Sequence, residues 1–478
     1  MARNVVRGTD PRLVTALVAA RLTGAAIRRL GRGGGTAAPG LVADRIDPQL
    51  LSKIARRLPR GAIVVAGTNG KTTVSRMLAD ILQTHGLRVA HNRSGSNLVR
   101  GVASALAGQA SIFGAPYADV AVIESDEAAL PEIARQVQPA VVLLNNLFRD
   151  QLDRYGELDA IAAKWRPALE RLPSATTVVV NVDDPTLAAI TDGISARRIA
   201  FGLDDRNPRL LLSSLPHAAD AKICRHCGHA LAYERLYSAH LGAWRCPGCG
   251  TARPPLDFAG TSIDLDGVEG LSLRVEATSP SPTSVPLRLA IPGLYNAYNA
   301  LAATAAATVY AIPAATIAAA LGDYRSAFGR IERVTYRGRA LTLALVKNPV
   351  GFNETLRMLT LATAGLTVPT LIASNDLTAD GRDISWLWDV DFEMLNEGTA
   401  PLYTTGLRGP DMANRLKYAG LPLTRIHSLP ADLATGLDAF VDALPEGSSG
   451  YMLLTYTALL GLRQVLADRD AVEQFWEQ

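Results

Sequence analysis

The sequence predicts an α/β fold of two domains, and three observations predict it. Short apolar strands such as "AIVVAG", "DVAVIESD", "AVVLLNN" and "TTVVVNVDD" alternate with helical stretches from residue 62 onward. A second strand–helix series, with "ALTLALV", "TLIASND" and "APLYTTG", begins after residue 334. Between them, residues 205–260 break the rhythm with cysteines, histidines and "RPP". Strands that read as continuous apolar runs, separated by helices, belong to parallel sheets covered on both faces. We therefore expect a helical and linker segment over 1–60, a central α/β domain over 61–333 with an insertion at 205–260, and a C-terminal α/β domain over 334–478.

The bulk properties agree. With 478 residues, 48% of them hydrophobic and 19% charged, the chain has material for several globular cores. A net charge of only +3 gives no electrostatic reason to expect nucleic acid as a partner. No apolar run reaches the ~18 residues of a membrane span. Near the start, "PRLVTALVAARLTGAAIRRLGRGGG" is too broken by Arg21 to read as a signal peptide. It predicts an amphipathic helix with Val14, Leu17, Val18 and Leu22 on one face, packed on its own domain, with a basic face able to touch anionic lipid. "GRGGGTAAPG" (31–40) reads as a flexible connector. The expected location is the cytoplasm, at most peripheral to the inner face of the membrane.

"VVAGTNGKTTV" (64–74) is a buried strand, a glycine-rich turn and a helix start. Backbone N–H groups at such a turn, with the helix N-terminus, cradle phosphate. Gly67, Thr68, Asn69, Gly70, Lys71, Thr72 and Thr73 are the candidate contacts, with Lys71 for the outer phosphates of ATP and the Thr72 hydroxyl for Mg²⁺. Val65 stands where the general consensus wants glycine, so the motif is a shorter variant. Read locally, an ordinary strand-to-helix turn is the alternative.

The four cysteines fall as "CRHC" (224–227) and "CPGC" (246–249), two C-x₂-C pairs eighteen residues apart. That is zinc-ribbon spacing, and Cys224, Cys227, Cys246 and Cys249 are the expected Zn²⁺ ligands. Four thiolates close the coordination sphere, which makes the site structural; His226 and His229 would also permit a mixed ligand set. Every cysteine is then used, and none is left as a nucleophile.

The turn "GTNGKTT" resembles the ATP loop of the Mur ligases and folylpolyglutamate synthetases. "VIESDEA" (122–128), "NNLFRDQLDRYGE" (145–157), "NVDDP" (181–185), "GLYNAYNALAA" (293–303) and "GRIE" (329–332) match further blocks of that family in order. The resemblance implies a ligase in which a carboxylate attacks the terminal phosphate of ATP and an amine captures the acyl phosphate. It implies Glu124 as a Mg²⁺ ligand, with Glu127 its rival, and Asn296 and Asn299 at the adenine. It also implies Arg330 and Lys347 facing the phosphates across the domain cleft. Read without it, Glu124 is a strand-end carboxylate, the asparagines are caps, and the two cations are solvated surface. Gln151 replaces the family's metal-binding His, which puts a second metal in doubt. Lys164 stands near the family's carbamylated lysine, slightly off the pattern. The 66 residues before Gly67 leave little room for a domain that grips a UDP-linked precursor.

"LVKNPVGFN" (345–353) and "NDLTADGRDISWLWD" (375–389), with the four-cysteine insertion, resemble more narrowly the MurT family, the synthetase subunits of lipid II isoglutaminyl synthase. That resemblance implies amidation of the D-glutamate α-carboxyl of lipid II, with ammonia from a GatD-type glutaminase subunit in a heterodimer. It implies that Asp383 completes, across the interface, a triad whose Cys and His lie on the glutaminase. Trp386 and Trp388 would anchor the loop or the interface. Read locally, Asp380 or Asp383 caps a helix "ISWLWDVDFEML" whose tryptophans pack inward, and both readings can hold together. The competing functions are a stand-alone ligase that adds an amino acid, and a zinc-stabilised nucleotide-binding scaffold without catalysis.

Overall fold

A computed structural model describes residues 10–29, 37–92, 97–149, 158–278, 282–325, 331–361 and 365–472. Its larger sheet has nine strands. From one edge they run Thr283–Leu289, Gly270–Ala277, Phe258–Asp266, Arg197–Leu203, Thr177–Asn181, Val141–Leu144, Ala62–Ala66, Val120–Glu124 and Val89–His91. From Phe258–Asp266 onward all pairs are parallel, as expected for buried apolar strands linked by helices. The first two strands pair antiparallel at the edge of this parallel sheet. They form a hairpin extension whose alternating burial differs from the fully buried strand Ala62–Ala66.

Side chains of Ala62–Ala66 alternate between two cores. Ile63 and Val65 pack with Val74, Met77 and Leu78 of the helix Lys71–Thr84, and with the alanine-rich helix Leu294–Val309. Val64 and Ala66 pack on the other face with Leu13, Leu17, Ile54 and Trp165. The N-terminal segment is thus part of the central domain's core. Its helix, Pro11–Arg29, buries Leu13, Ala16, Leu17 and Ala20, whereas Val18 and Leu22 face outward. That corrects the expected face. The helix packs closely on Ala38–Ile46, and its buried face uses small Ala16 and Ala20, which permit close approach, rather than bulkier Val18 and Leu22. The end of the expected connector is the first turn of Ala38–Ile46, with Pro39 in the helix-starting position that proline tolerates.

The insertion carries an antiparallel pair, Ala232–Ser238 and Leu241–Arg245. The C-terminal domain has a six-stranded sheet ordered Glu332–Tyr336, Arg339–Leu345, Ser449–Leu454, Thr370–Ala373, Leu402–Thr405 and Ile426–Ser428, parallel except for its first pair. The strand Glu332–Tyr336 belongs to this second sheet. The two domains meet through the insertion. Arg357, on the helix Pro349–Thr360, donates to the carbonyls of Tyr237 (2.5 Å) and Leu210 (3.0 Å).

The expected helix over 384–395 is instead two short 3₁₀ turns, Ser385–Asp389 and Phe392–Leu395. They break at Asp391, whose N–H donates to Asn353 Oδ1 (2.8 Å) and whose Oδ2 accepts from Asn353 Nδ2 (2.7 Å). A tertiary contact there replaces the helical ladder.

Candidate functional site

The phosphate loop lies at the C-terminal end of Ala62–Ala66, where parallel sheets present their ligand sites. Gly67 (φ +144°) and Gly70 (φ +85°) hold backbone conformations that favour glycine. A Cβ on Gly70 would stand 2.1 Å from Asn299 Oδ1 and 2.5 Å from Asn145 Nδ2, so the loop is packed hard against the domain on that side.

Asparagine amides hold the loop from behind. The Thr68 N–H donates to the Asn146 carbonyl (3.0 Å) and the Asn69 N–H to Asn146 Oδ1 (2.8 Å). Asn145 Nδ2 donates to the Asn69 carbonyl (2.9 Å) and to Asn299 Oδ1 (3.1 Å). Asn299 Nδ2 then donates to Asn296 Oδ1 (3.0 Å), and Asn296 Nδ2 to the Pro292 carbonyl (2.7 Å). Asn296 and Asn299 are therefore side by side, buried, with their amides engaged in this chain. The sequence assigns Asn145 and Asn146 no role, although "NN" at a strand end is a visible signal.

At the front of the loop the chemistry is charged. Lys71 Nζ lies 3.0 Å from Glu127 Oε1 and donates to the Thr68 carbonyl at 3.2 Å. The Thr72 hydroxyl donates to Glu124 Oε1 at 3.1 Å. Glu124 is gripped at its main chain by Asn92, which accepts from its N–H and donates to its carbonyl, both at 2.9 Å. Glu127 is steadied by Trp165 Nε1, which donates to its carbonyl at 2.8 Å. Lys71, Glu124 and Glu127 are all buried. The carboxylate of Glu124 and the hydroxyl of Thr72 are the hard oxygen donors that Mg²⁺ prefers, so the residues present fit that ion.

Asn348 joins the C-terminal domain to this loop. Its Nδ2 donates to Asn69 Oδ1 (2.9 Å), while its Oδ1 caps the helix Pro349–Thr360 by accepting from the Gly351 N–H (2.8 Å). Lys347, half-buried, is its chain neighbour, which brings that predicted residue to the loop's side of the C-terminal domain. Arg330, Gln151, and with it most of "RDQLD", lie outside the described residues. Lys164 is exposed on the helix Leu158–Glu170, as an ordinary surface lysine is.

The four cysteines converge. Cys224, Cys227, Cys246 and Cys249 bring their sulfurs within 4.8 Å of one another, with Cys224···Cys249 at 3.6 Å and Cys227···Cys246 at 3.3 Å. Tetrahedral Zn–S bonds of ~2.3 Å give sulfur–sulfur edges of roughly 3.8 Å, so the cluster suits such an ion. The two turns match: Gly228 N–H donates to the Cys224 carbonyl (2.9 Å) and Gly250 N–H to the Cys246 carbonyl (3.0 Å), both glycines at positive φ. The Thr251 hydroxyl, 3.2 Å from Cys249 Sγ, pulls that thiol down, while the crowding of neighbouring sulfurs pushes Cys227 up, as sulfurs sharing one proton set do. Neither His226 nor His229 joins this group of donors.

Asp383 is exposed on the loop that follows Thr370–Ala373, and its Oδ1 accepts from the Ser385 N–H at 2.8 Å. That bond, with the Ser385 hydroxyl, holds its carboxyl below the usual carboxylate value. Asp380 is buried and acts within the fold. Its carboxylate accepts from the Thr457 N–H (2.8 Å) and hydroxyl, tying the loop to the start of the helix Tyr456–Asp468. The two tryptophans part company. Trp386 packs toward Phe352 (centroids 6.4 Å apart), while Trp388 is 51% exposed beside Tyr418 (5.7 Å).

Residues 65–225 match the Mur ligase middle domain, and residues 345–459 the MurT ligase C-terminal domain. The chain is 33% identical over 466 residues to the lipid II isoglutaminyl synthase (glutamine-hydrolyzing) subunit MurT of Streptococcus pneumoniae, covering 96% of this chain and 98% of that one. It is 29% identical over 406 residues to the subunit of the same name from Staphylococcus aureus strain COL, covering 85% and 87%. Among solved structures, a pseudomurein peptide ligase type C from Methanothermus fervidus superposes with a TM-score of 0.65 at 17% identity, over 86% of this chain and 79% of that one. MurF from Acinetobacter baumannii superposes with a TM-score of 0.62 at 16% identity, over 89% and 80%. The solved structures share the fold. The near-complete, one-third-identical relative and the two matched domains establish that the chain belongs to the MurT family of Mur-type ligases, subunits of lipid II isoglutaminyl synthase.

Proposed function

We propose that the protein amidates the α-carboxyl of D-glutamate in lipid II to D-isoglutamine, using ATP and ammonia. The observation that carries the reading is the meeting of Lys71 with Glu127 and of Thr72 with Glu124 at one helix start, in a chain that aligns over 96% of its length with a lipid II isoglutaminyl synthase subunit. The substrate carboxylate attacks the terminal phosphate of ATP and ADP departs; ammonia then takes the acyl carbon and inorganic phosphate leaves. Such transfer needs positioning and charge neutralisation more than a protein nucleophile. Lys71 would leave Glu127 for the nucleotide phosphates, and Thr72 and Glu124 would hold Mg²⁺ between them. Asn296 and Asn299 stay behind the loop, toward the adenine end, and Lys347 approaches from the C-terminal side.

Ammonia comes from a glutaminase subunit of the GatD type. All four cysteines of this chain lie in one cluster that would hold a structural zinc, so the thiol that hydrolyses glutamine would belong to another chain. Asp383, ionised and exposed, offers the carboxylate that orients the partner's histidine. Exposed Trp388, Tyr418 and Leu423 on the same domain provide an apolar docking surface. The setting is the cytoplasmic side of the membrane, where lipid II is synthesised. Among the described residues no helix is long and apolar enough to cross a bilayer.

The test is ADP release from ATP by the protein with its glutaminase partner, glutamine and Mg²⁺, with and without lipid II. The reading requires release that depends on lipid II. Release independent of lipid II, or none, would count against it.

A further inference from the structure

We infer that the outward face of the helix Pro11–Arg29, together with the loop at 110–117, is a docking surface for an anionic lipid bilayer. The inference rests on the proposed lipid-linked substrate for its biological sense, and on three features of the chain for its physics.

The first is charge. The first 40 residues carry seven Arg, no Lys, and a single acid, Asp10, a local balance of 7 − 1 = +6. The whole chain is +3, so the remaining residues sum to 3 − 6 = −3. The positive balance of the sequence is therefore concentrated in its first 40 residues, of which Arg12, Arg21 and Arg29 stand on the described helix. Asp10 is itself occupied by Lys53 at 2.7 Å. Arg12, Arg21 and Arg57 donate to the main-chain carbonyls of Ile46 (2.6 Å), Ala110 (2.6 Å) and Phe113 (2.5 Å). These bonds fix where the guanidinium groups stand, and among the described residues no carboxylate pairs with them.

The second is apolar exposure that the core does not explain. The helix satisfies its own domain with Leu13, Ala16, Leu17 and Ala20, yet Leu22 is 67% exposed and Val18 39%. On the loop, Phe113 is 57% exposed and Ile112 37%.

The third is that these residues share one flank. A Cβ on Gly114 would touch Leu13, and Arg21 reaches Ala110, so the loop runs along the side of the helix that carries positions 13, 17 and 21. At 3.6 residues per turn, positions 14, 18 and 22 are the next stripe outward on that side. Arg12 reaches Ile46, which puts the helix Ala38–Ile46 on the opposite side. Val18, Leu22, Ile112 and Phe113 thus form an apolar strip bordered by Arg21 and Arg57. Apolar side chains at headgroup depth with arginines around them match an interfacial contact with anionic lipid, and among the described residues no helix spans the bilayer.

The experiment is co-sedimentation of the full chain with vesicles of phosphatidylcholine, with and without added phosphatidylglycerol, alongside amidation of lipid II in detergent and in vesicles. The wild type should pellet with the anionic vesicles, less so at high salt. Leu22→Glu combined with Phe113→Glu should weaken that binding by about tenfold or more. These exposed positions lie away from the phosphate loop, so amidation in detergent should persist while amidation in vesicles falls. Equal pelleting of variant and wild type, no preference for phosphatidylglycerol, or a self-associated species in place of vesicle binding would overturn the inference. Amidation in detergent without vesicle binding defeats this surface alone. Vesicle binding without amidation in either setting defeats the proposed reaction and leaves the surface standing.

Discussion

Asn348, at the cap of the C-terminal domain's first helix, donates from its Nδ2 to Oδ1 of Asn69 in the phosphate loop, at 2.9 Å. The same Asn348 side chain caps its own helix, so one residue orders the C-terminal domain and sets its register against the loop. Under the proposed reaction, with the nucleotide on that loop, this contact is where domain position becomes loop geometry.

Asn348→Ser separates the cap from the bridge. Serine keeps an N-cap oxygen but is too short to reach Asn69. Thermal stability should stay near wild type, while KM for ATP rises roughly fivefold, the value of about one net hydrogen bond. Asn348→Ala should add about 1 kcal/mol of destabilisation from the lost cap. Unchanged KM in the serine variant would mean the bridge is incidental.

Lys71→Ala should abolish turnover with either nitrogen donor. It also strands the buried Glu127 carboxylate, which costs about 3 kcal/mol when a buried pair loses one partner. Lys71→Met with Glu127→Gln should recover most of that stability and none of the activity. Denaturant unfolding and ADP release, measured on the same samples, separate the two effects.

Asp383→Asn should abolish glutamine-driven amidation, by a factor on the order of 10⁴ if it acts as the orienting carboxylate of a triad, yet spare the reaction with ammonium. Its fold should survive, because asparagine retains the Oδ1 that accepts from Ser385. The sign of its pH dependence follows from its depressed pKa. The carboxylate is charged at neutral pH and is lost only as pH falls through that lowered value. A loss of coupled activity between neutral and mildly acidic pH would then report groups on the partner. Equal loss with both donors would assign Asp383 to this chain's own chemistry.

Metal analysis should find about one zinc per chain, bound at the four sulfurs. Cys246→Ser or a strong chelator should lower the melting temperature. The insertion also anchors the C-terminal domain through Arg357, so interdomain contacts should loosen with it. A metal-free chain of unchanged stability would remove the structural role.

Much of the fold and of the candidate site is legible in the sequence because it is local. A buried strand, two positive-φ glycines and a lysine opening a helix lie within ten residues, and each cysteine pair makes its own turn. What depends on distant partners is not legible. Asn145, Asn146 and Asn348 look like turn residues until the loop they bind is folded beside them. The N-terminal helix buries a different face from the one its large aliphatic residues suggest, because the small size of Ala16 and Ala20 is what lets helices approach. "ISWLWDVDFEML" has helical periodicity, but Asn353 takes the Asp391 N–H and divides it. The hairpin extension at Gly270–Ala277 and Thr283–Leu289 is hidden behind the irregular insertion, despite its period-two burial.

The most direct measurement is the mass of lipid II after incubation with this protein, its glutaminase partner, ATP and Mg²⁺, with glutamine and ammonium supplied separately. The proposed reaction predicts the small mass decrease of carboxyl to amide with both nitrogen sources, and with ammonium alone when Asp383 is replaced by Asn. An unchanged mass, or incorporation of an added amino acid in its place, would contradict it.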